Sequence, residues 1–441
     1  MPIFGSDGFR CEFGKSFLTY ESITRFANSL GDYYIHKCFS EPLLISKDTR
    51  QSGQIIEGII INILNLKGIN TCSTGILPTP GLSKILETDN YSLGCMITAS
   101  HNPHYDNGIK LLKNDGYKID IDAQEYIEKL MTSDDSKNIS FSKNLGTHVF
   151  LETCFQKYSK ALFDTIKPMD PSCNILVDCS NGAYSFGLSK SFPFKNVTFK
   201  HNNPNGNNIN LDCGSLEAKK LHKDIINSEN DFGVAFDGDG DRAIFISREY
   251  GIIESEKLAL LFFSMLLKNS KSKTVVTTEI SNLALKHNIE NLGGILIETP
   301  VGDRFVIDSV NTHGAIFGFE PSGHFYFPKN SKSMDGMVAM LHFFNLLNQF
   351  HETLDATLCK LSHYSRIQKN FDISNNLDIY ENTISNDISK LINPEKEKFI
   401  IRKSMWDPVL RIYYDYIDEN KFSIIERSIH NLINNNNIKE I

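Results

Sequence analysis

The chain has 441 residues, 41% hydrophobic and 22% charged, with 14 Pro and 28 Gly, proportions that exclude a disordered, collagen-like or disulfide-scaffold protein. Lys and Arg number 45 against 53 Asp and Glu, a formal charge of -8, so the summed field gives nucleic acid no reason to collect and any anion must be bound locally. The most apolar run, residues 258–267, reaches about half of the roughly 20 residues a membrane helix needs, and no membrane partner is expected.

Short runs rich in Val, Ile and Phe alternate with Gly, Pro or Asn turns and then with stretches of helical period, which predicts α/β domains. Strands are read over 42–46, 93–98, 174–178, 231–236, 243–246 and 273–277. Helices are read over 21–37, 53–66, 255–268 and 335–349, with another near 149–166. Polar stretches at 132–147 and 369–376 divide the chain, and the Asn-rich end, 431–441, is expected to fray. Boundaries near 150, 252 and 368 give four domains: 1–150, 151–252, 253–368 and 369–441. The first ten residues carry no apolar signal core, and nine scattered Cys without a CxxC pair fit reduced, mostly buried thiols, so a cytoplasmic location is expected.

Two elements carry chemistry. Asp237, Asp239 and Asp241, separated by glycines after an apolar run, place three carboxylates within reach of one hard cation. An Asp-Gly hairpin turn is the bland alternative, but three carboxylates together repel one another without a counter-ion. A calcium EF-hand fails because its sixth and twelfth positions would be Arg242 and Arg248. A phosphatase of the haloacid dehalogenase type, with Asp237 as nucleophile and Asp239 as acid and base, stays open. The second element is Thr98-Ala99-Ser100-His101-Asn102-Pro103, followed by Asp106-Asn107-Gly108-Ile109-Lys110. It sets a candidate nucleophile, Ser100, at the carboxyl end of a strand, where open α/β sheets bind ligands, with Lys110 as acid, base or phosphate partner. A Ser/Asn turn is the bland alternative here, and no GxSxG elbow supports a serine hydrolase.

Together with Phe4-Gly5-Ser6-Asp7-Gly8-Phe9-Arg10, Lys47-Asp48-Thr49-Arg50, Leu77-Pro78-Thr79-Pro80, Asp178-Cys179-Ser180-Asn181-Gly182, Pro204-Asn205-Gly206, Val301-Gly302-Asp303-Arg304 and Glu320-Pro321-Ser322-Gly323-His324, these elements resemble the α-D-phosphohexomutases, in the family's order and over nearly the whole chain. The resemblance implies three α/β domains with mixed sheets and a smaller C-terminal α+β domain around a central cleft. It implies a Ser100 phosphorylated in the resting enzyme, and Mg2+ held by Asp237, Asp239, Asp241 and an oxygen on Ser100. Arg10, Lys110 and Arg242 would neutralise phosphate, and His101 and Lys110, Lys110 preferred, would move protons. Asp303, Arg304, Glu320, Ser322 and His324 would bind the sugar phosphate, with Arg402 and Ser404 on its distal phosphate. A hexose 1,6-bisphosphate would prime the enzyme, which is expected as a monomer or homodimer with a small-molecule sugar phosphate as its partner. The opening at Phe4 to Arg10 is most similar to the branch acting on glucosamine phosphates. That implies interconversion of the 6-phosphate and 1-phosphate, with mannose or glucose phosphates, hydrolysis, or binding without catalysis as alternatives.

Two departures from the family pattern stand out. Phe319 replaces a glycine and Pro321 stiffens the sugar loop, which predicts a reshaped pocket. In the last loop Met405 and Trp406 replace Gly and Thr, which predicts a weaker grip on the distal phosphate despite Arg402, Lys403 and Ser404. Cys11, in place of a Gly after Arg10, is a smaller change.

Overall fold

The computed structural model describes residues 3–5, 8–133, 138–350, 354–361, 364–374, 392–393, 395–403, 409–416, 425–427 and 439–440. Their strands form four sheets that follow one another along the chain. The first runs Phe9–Glu12, Asp106–Lys113, Leu93–Ile97, Leu43–Lys47, Thr71–Ile76, His148–Phe150, with its first two pairings antiparallel and the remainder parallel. The second runs Gly251–Ile253, Ala243–Ser247, Phe232–Phe236, Ile175–Asp178, Val197–Lys200, again antiparallel and then parallel. The third, Ile295–Thr299, Thr274–Thr278, Phe317–Phe319, Phe325–Tyr326, ends on an antiparallel pair. The fourth, Lys398–Lys403, Val409–Tyr416, Ser365–Asp372, Lys439–Glu440, is antiparallel throughout. The expected architecture, three α/β units with mixed sheets and a smaller C-terminal α+β one, is the one observed, the last built on an antiparallel sheet.

Burial explains the strand type. Every residue of Leu93–Ile97 and of Phe232–Phe236 is buried, as required of inner strands covered on both faces. Helix Gly53–Leu66 turns Ile56, Ile60, Ile63 and Leu64 inward at helical spacing. Helix Tyr20–His36 is started by Thr19, whose side chain accepts from the Ser22 N–H at 3.2 Å. Helix Gly336–Phe350 is started by Asp335, whose Oδ1 accepts from the Val338 N–H at 3.0 Å. One apolar core runs from Leu44, Met96 and Leu112 of the first sheet through Phe236 and Phe245 to Phe262, Phe317 and Met337, so the first three units share an interior. The small fourth sheet is latched to the third by Arg366 and Asp415, paired through Nε at 2.5 Å and Nη2 at 2.8 Å, with Asp415 Oδ2 also accepting from the Leu283 N–H.

Several expectations need correction. The helix read near 149–166 begins at Cys154, because Val149 and Phe150 belong to an exposed edge strand beside Thr71–Ile76. Lys369 to Asp372 is not a polar divide but the end of a strand that pairs with Val409–Ile412, its backbone groups satisfied whatever its side chains. The tail is not wholly frayed: Lys439–Glu440 pairs with Phe371 and Asp372, while 431–438 and 441 lie outside the described residues. Six of the nine Cys are buried and all nine are free. No helix among the described residues is long and apolar enough to cross a membrane.

Candidate active site

The serine loop leaves the end of Leu93–Ile97, and its turn requires Ser100 to adopt a left-handed backbone, φ 51°. A buried scaffold holds it there. The Ser100 N–H donates to Thr98 Oγ1 at 2.9 Å, and Thr98 Oγ1 donates to Asp48 Oδ2 at 2.6 Å. Arg50, 2% exposed, donates through Nε to Asp48 Oδ2 at 2.9 Å and through its two Nη atoms to the carbonyls of Ser100, Asn102, Pro103 and Asp106. Asn210 Nδ2, from the second unit, donates to the same Ser100 carbonyl at 2.8 Å. Sequence reasoning gave Asp48, Arg50, Thr79 and Asn210 no role. The signal available was an acid and an arginine two residues apart in Lys47-Asp48-Thr49-Arg50.

The aspartate loop follows Phe232–Phe236, and its three carboxylates come within 4.8 Å of one another. Ser100 Oγ donates to Asp237 Oδ2 at 2.5 Å, so the two strand ends meet nucleophile to carboxylate. Lys110 Nζ donates to Asp239 Oδ2 at 2.8 Å and to Asp241 Oδ2 at 2.9 Å, and Thr79 Oγ1 reaches Asp239 Oδ2 at 2.5 Å. Burial, then Asp241 and Asp239, hold the Asp237 carboxyl well above its ordinary range. Burial also opposes ionisation of Asp241, but Lys110 and His324 outweigh it and hold this carboxyl well below. Asp239 Oδ1 is buried without a partner. A cluster of hard oxygens at one point, one of them orphaned, fits a small divalent cation such as Mg2+.

Of the sugar-loop residues His324 reaches this cluster, with Glu320 and Ser322 standing at its other ring nitrogen. His324 is pulled down by burial and by Arg242, yet Asp241 and Glu320 prevail and raise it to about 9. Its Nε2–H therefore donates to Asp241 Oδ1 at 3.1 Å and its Nδ1–H to Glu320 Oε2 at 2.7 Å. Arg242 Nε, also 3.1 Å from Nε2, then stands as a neighbouring cation rather than a donor. Glu320 is disfavoured as an anion by burial but held below its usual range by His324, and its Oε1 accepts from the Gly302 N–H at 3.0 Å. His101 is driven to about 2 by burial and by Arg242 and Arg10, so it is neutral, with Nδ1 3.4 Å from Ser100 Oγ.

Asp303 and Arg304 face another way. Asp303 pairs with Lys118 Nζ at 2.5 Å and Arg304 Nη2 donates to the Ile119 carbonyl at 2.8 Å, which ties the third unit to the first. Asp303 nonetheless shares a cavity of about 20 Å³ with Thr79, Lys110 and Asp241. Phe319 does not reshape the pocket by its side chain, which is wholly buried and stacked on Phe325 at 5.6 Å. Arg402 lies in strand Lys398–Lys403 opposite Arg411, half-buried. Ser404, Met405 and Trp406 lie outside the described residues.

Comparison with known proteins agrees with this geometry. Residues 1–138 match the phosphoglucomutase/phosphomannomutase α/β/α domain I, and residues 254–364 match domain III of the same family. The chain is 31% identical to a phosphoglucosamine mutase of Bartonella tribocorum over 93% of this chain and 92% of that one. It is 32% identical to one of Campylobacter hominis over 88% and 90%. Among solved structures, a phosphoglucomutase/phosphomannomutase family protein of Burkholderia thailandensis superposes with a TM-score of 0.82 at 18% identity, over 98% of this chain and 97% of that one. The N-acetylphosphoglucosamine mutase of Aspergillus fumigatus, in complex with GlcNAc-6P and magnesium, gives 0.67 at 15%, over 98% and 95%. On motifs, fold and relatives together, the chain belongs to the phosphoglucomutase/phosphomannomutase family, the phosphohexomutases.

Proposed function

We propose that the protein is a phosphosugar mutase that interconverts glucosamine 6-phosphate and glucosamine 1-phosphate through a phosphoserine at Ser100. The observation that carries it is the meeting of a strained, buried serine with three clustered carboxylates. Support for the sugar comes from relatives that are phosphoglucosamine mutases over nearly their full length. In the forward half-reaction the phosphorus–oxygen bond to Ser100 breaks as a bond to the free sugar hydroxyl forms, giving a 1,6-bisphosphate; that hydroxyl loses its proton and the released Ser100 oxygen gains one. After the sugar turns end for end, its other phosphate passes to the Ser100 oxygen, whose hydroxyl gives up its proton, and the sugar oxygen that the phosphate leaves takes one up. A trace of hexose 1,6-bisphosphate loads an unphosphorylated chain.

Phosphoryl transfer depends on alignment and charge neutralisation more than on covalent help. Asp237, Asp239 and Asp241 would hold Mg2+, which supplies positive charge to the non-bridging oxygens when bound. Arg10, Arg242 and the Lys110 ammonium add charge from this chain. Lys110 is the residue placed to move the proton, while His101, too weak a base at about 2 to take one near neutral pH, orients Ser100 Oγ through Nδ1. Glu320 and Ser322 serve the sugar hydroxyls, His324 locks Glu320 to the aspartate loop, and Arg402 with Ser404 takes the distal phosphate. Asp303 reaches the substrate side through the cavity it shares with Lys110, and Arg304, beside it, holds the Ile119 carbonyl of the first unit and steadies that wall. On the same reading the enzyme works in the cytoplasm, as a monomer or homodimer.

The test is phosphorus NMR with Mg2+, a trace of hexose 1,6-bisphosphate, and glucosamine, glucose and mannose 6-phosphates together. Growth of the glucosamine 1-phosphate resonance first supports the proposal. A different 1-phosphate reassigns the sugar, and free phosphate alone replaces the mutase with a hydrolase. Ser100→Ala is expected to abolish turnover while sugar-phosphate binding persists.

A further inference from the structure

Outside the aspartate loop, one other group of metal-ligating side chains is gathered among the described residues: Asp178, His201 and Cys213, with ligand atoms within 4.8 Å of one another. Asp178 ends strand Ile175–Asp178, His201 follows strand Val197–Lys200, and Cys213 closes the return from the segment 203–212. Distant sequence positions thus converge at the carboxyl ends of two parallel strands, where this fold class places ligands.

The donors are sequestered but not satisfied by one another. Asp178 and Cys213 are each 2% exposed. His201 Nδ1 is closed to solvent and lies 3.0 Å from Asp178 Oδ1, yet off the line a hydrogen bond needs, so it has no hydrogen-bond partner. An acid–histidine pair packed for its own sake would close that bond. Two ligand atoms about 2.0–2.1 Å from a shared tetrahedral ion instead stand roughly 3.3 Å apart without bonding each other. The surrounding groups hold the other two donors in place. Asp178 Oδ1 accepts from the Ser180 N–H at 2.8 Å, its Oδ2 from the Gly214 N–H at 2.9 Å, and Cys213 Sγ from Asn181 Nδ2 at 3.8 Å.

We propose that Asp178, His201 and Cys213 form a second metal site, for a divalent ion of the zinc class. Thiolate, imidazole and carboxylate make a softer set than three carboxylates, so the two sites of this chain select different ions. As the sulfur–metal bond forms, the Cys213 thiol releases its proton to solvent, and water fills the fourth position. The ion would tie together loops that support the nucleophile. Asn210 of one donates to the Ser100 carbonyl, and the Asn181 carbonyl of the other accepts from Thr49 Oγ1 at 2.6 Å. Its role is therefore to fix the serine loop.

Cobalt(II), titrated into the reduced, metal-stripped full chain with Mg2+ in excess, tests this. The aspartate loop holds no sulfur, so a thiolate-to-cobalt charge-transfer band in the near ultraviolet reports only on a cysteine. The band is expected to saturate at one equivalent, to be displaced by Zn2+, and to vanish in Cys213→Ser. His201→Asn tolerates the left-handed backbone at this position, φ 47°, and is expected to weaken cobalt binding by at least about tenfold. No band in the parent chain, or a band retained in Cys213→Ser, overturns the proposal. Circular dichroism checks both variants, and if Cys213→Ser does not fold, unchanged cobalt affinity in His201→Asn overturns it.

Discussion

Arg50 Nη2 donates to the carbonyl of Ser100 at 2.9 Å, from a guanidinium that is itself paired with Asp48 and shielded from water. One side chain thus fixes the backbone of the nucleophile from behind. Lysine keeps the charge but not the planar fork, so Arg50→Lys is expected to leave KM for the sugar phosphate nearly unchanged and to lower kcat by about 100-fold, as a misaligned nucleophile does. Arg50→Ala also strands the Asp48 carboxylate and is expected to cost about 3–5 kcal/mol of stability in denaturant unfolding. Equal loss in kcat and in binding for Arg50→Lys would contradict the positioning role.

A Cβ on Gly238 would meet the Ser100 carbonyl oxygen at 2.5 Å and Ile209 Cδ1 at 2.8 Å. The first obstacle is backbone and cannot swing aside. Gly238→Ala is therefore expected to push the serine loop away from Asp237 and reduce kcat by about 100-fold, with a stability loss of about 1–3 kcal/mol. Steady-state kinetics beside a thermal melt separates the two effects.

Three carboxylates that repel one another gain most from a cation. Mg2+ at 100 times its dissociation constant is expected to stabilise the protein by about 2.7 kcal/mol, read as a rise in Tm, and chelation to abolish turnover. Asp239→Asn should lose both responses. Removing the competing ammonium in Lys110→Gln should instead tighten Mg2+ binding, measured calorimetrically, while kcat falls by about 100-fold or more.

Asp335 gives a pH dependence away from the chemistry. Burial raises its carboxyl from 3.8 to about 6, against the N–H of Val338 and the hydroxyl of Tyr158, which favour the anion. Between these values the folded chain keeps a proton that the unfolded chain has lost, so stability falls as pH rises from about 4 to about 6 and then levels off. The drop is about 3 kcal/mol, and Asp335→Asn, which can still cap Gly336–Phe350, is expected to flatten it in melts across that range.

What could be read from sequence was what is encoded locally. The periodicity of helix Gly53–Leu66 gave its limits because its buried positions repeat with the helical turn. The three Asp and Ser100 were readable because each sits on a short loop at a strand end. The strand His148–Phe150 was missed because its three residues are exposed and carry no alternation, so only pairing with Thr71–Ile76 defines it. The role of Asn210 lay beyond reach because it acts on a backbone carbonyl, and that of Arg50, which does the same, was announced only by its spacing from Asp48. For Phe319, residue type suggested a pocket wall, whereas strand alternation turns the ring into the core.

The carbonyls of the aspartate loop are spoken for in turn: Gly238 accepts from the Ala183 N–H, Asp239 from that of Thr79 and Gly240 from that of Gly336, one from each of the first three units. The loop is a keystone, shaped only when all three bodies have docked. A partial loosening of any one joint would silence the enzyme while most of its helices and strands persist, so in rising denaturant activity should vanish well ahead of the circular dichroism signal.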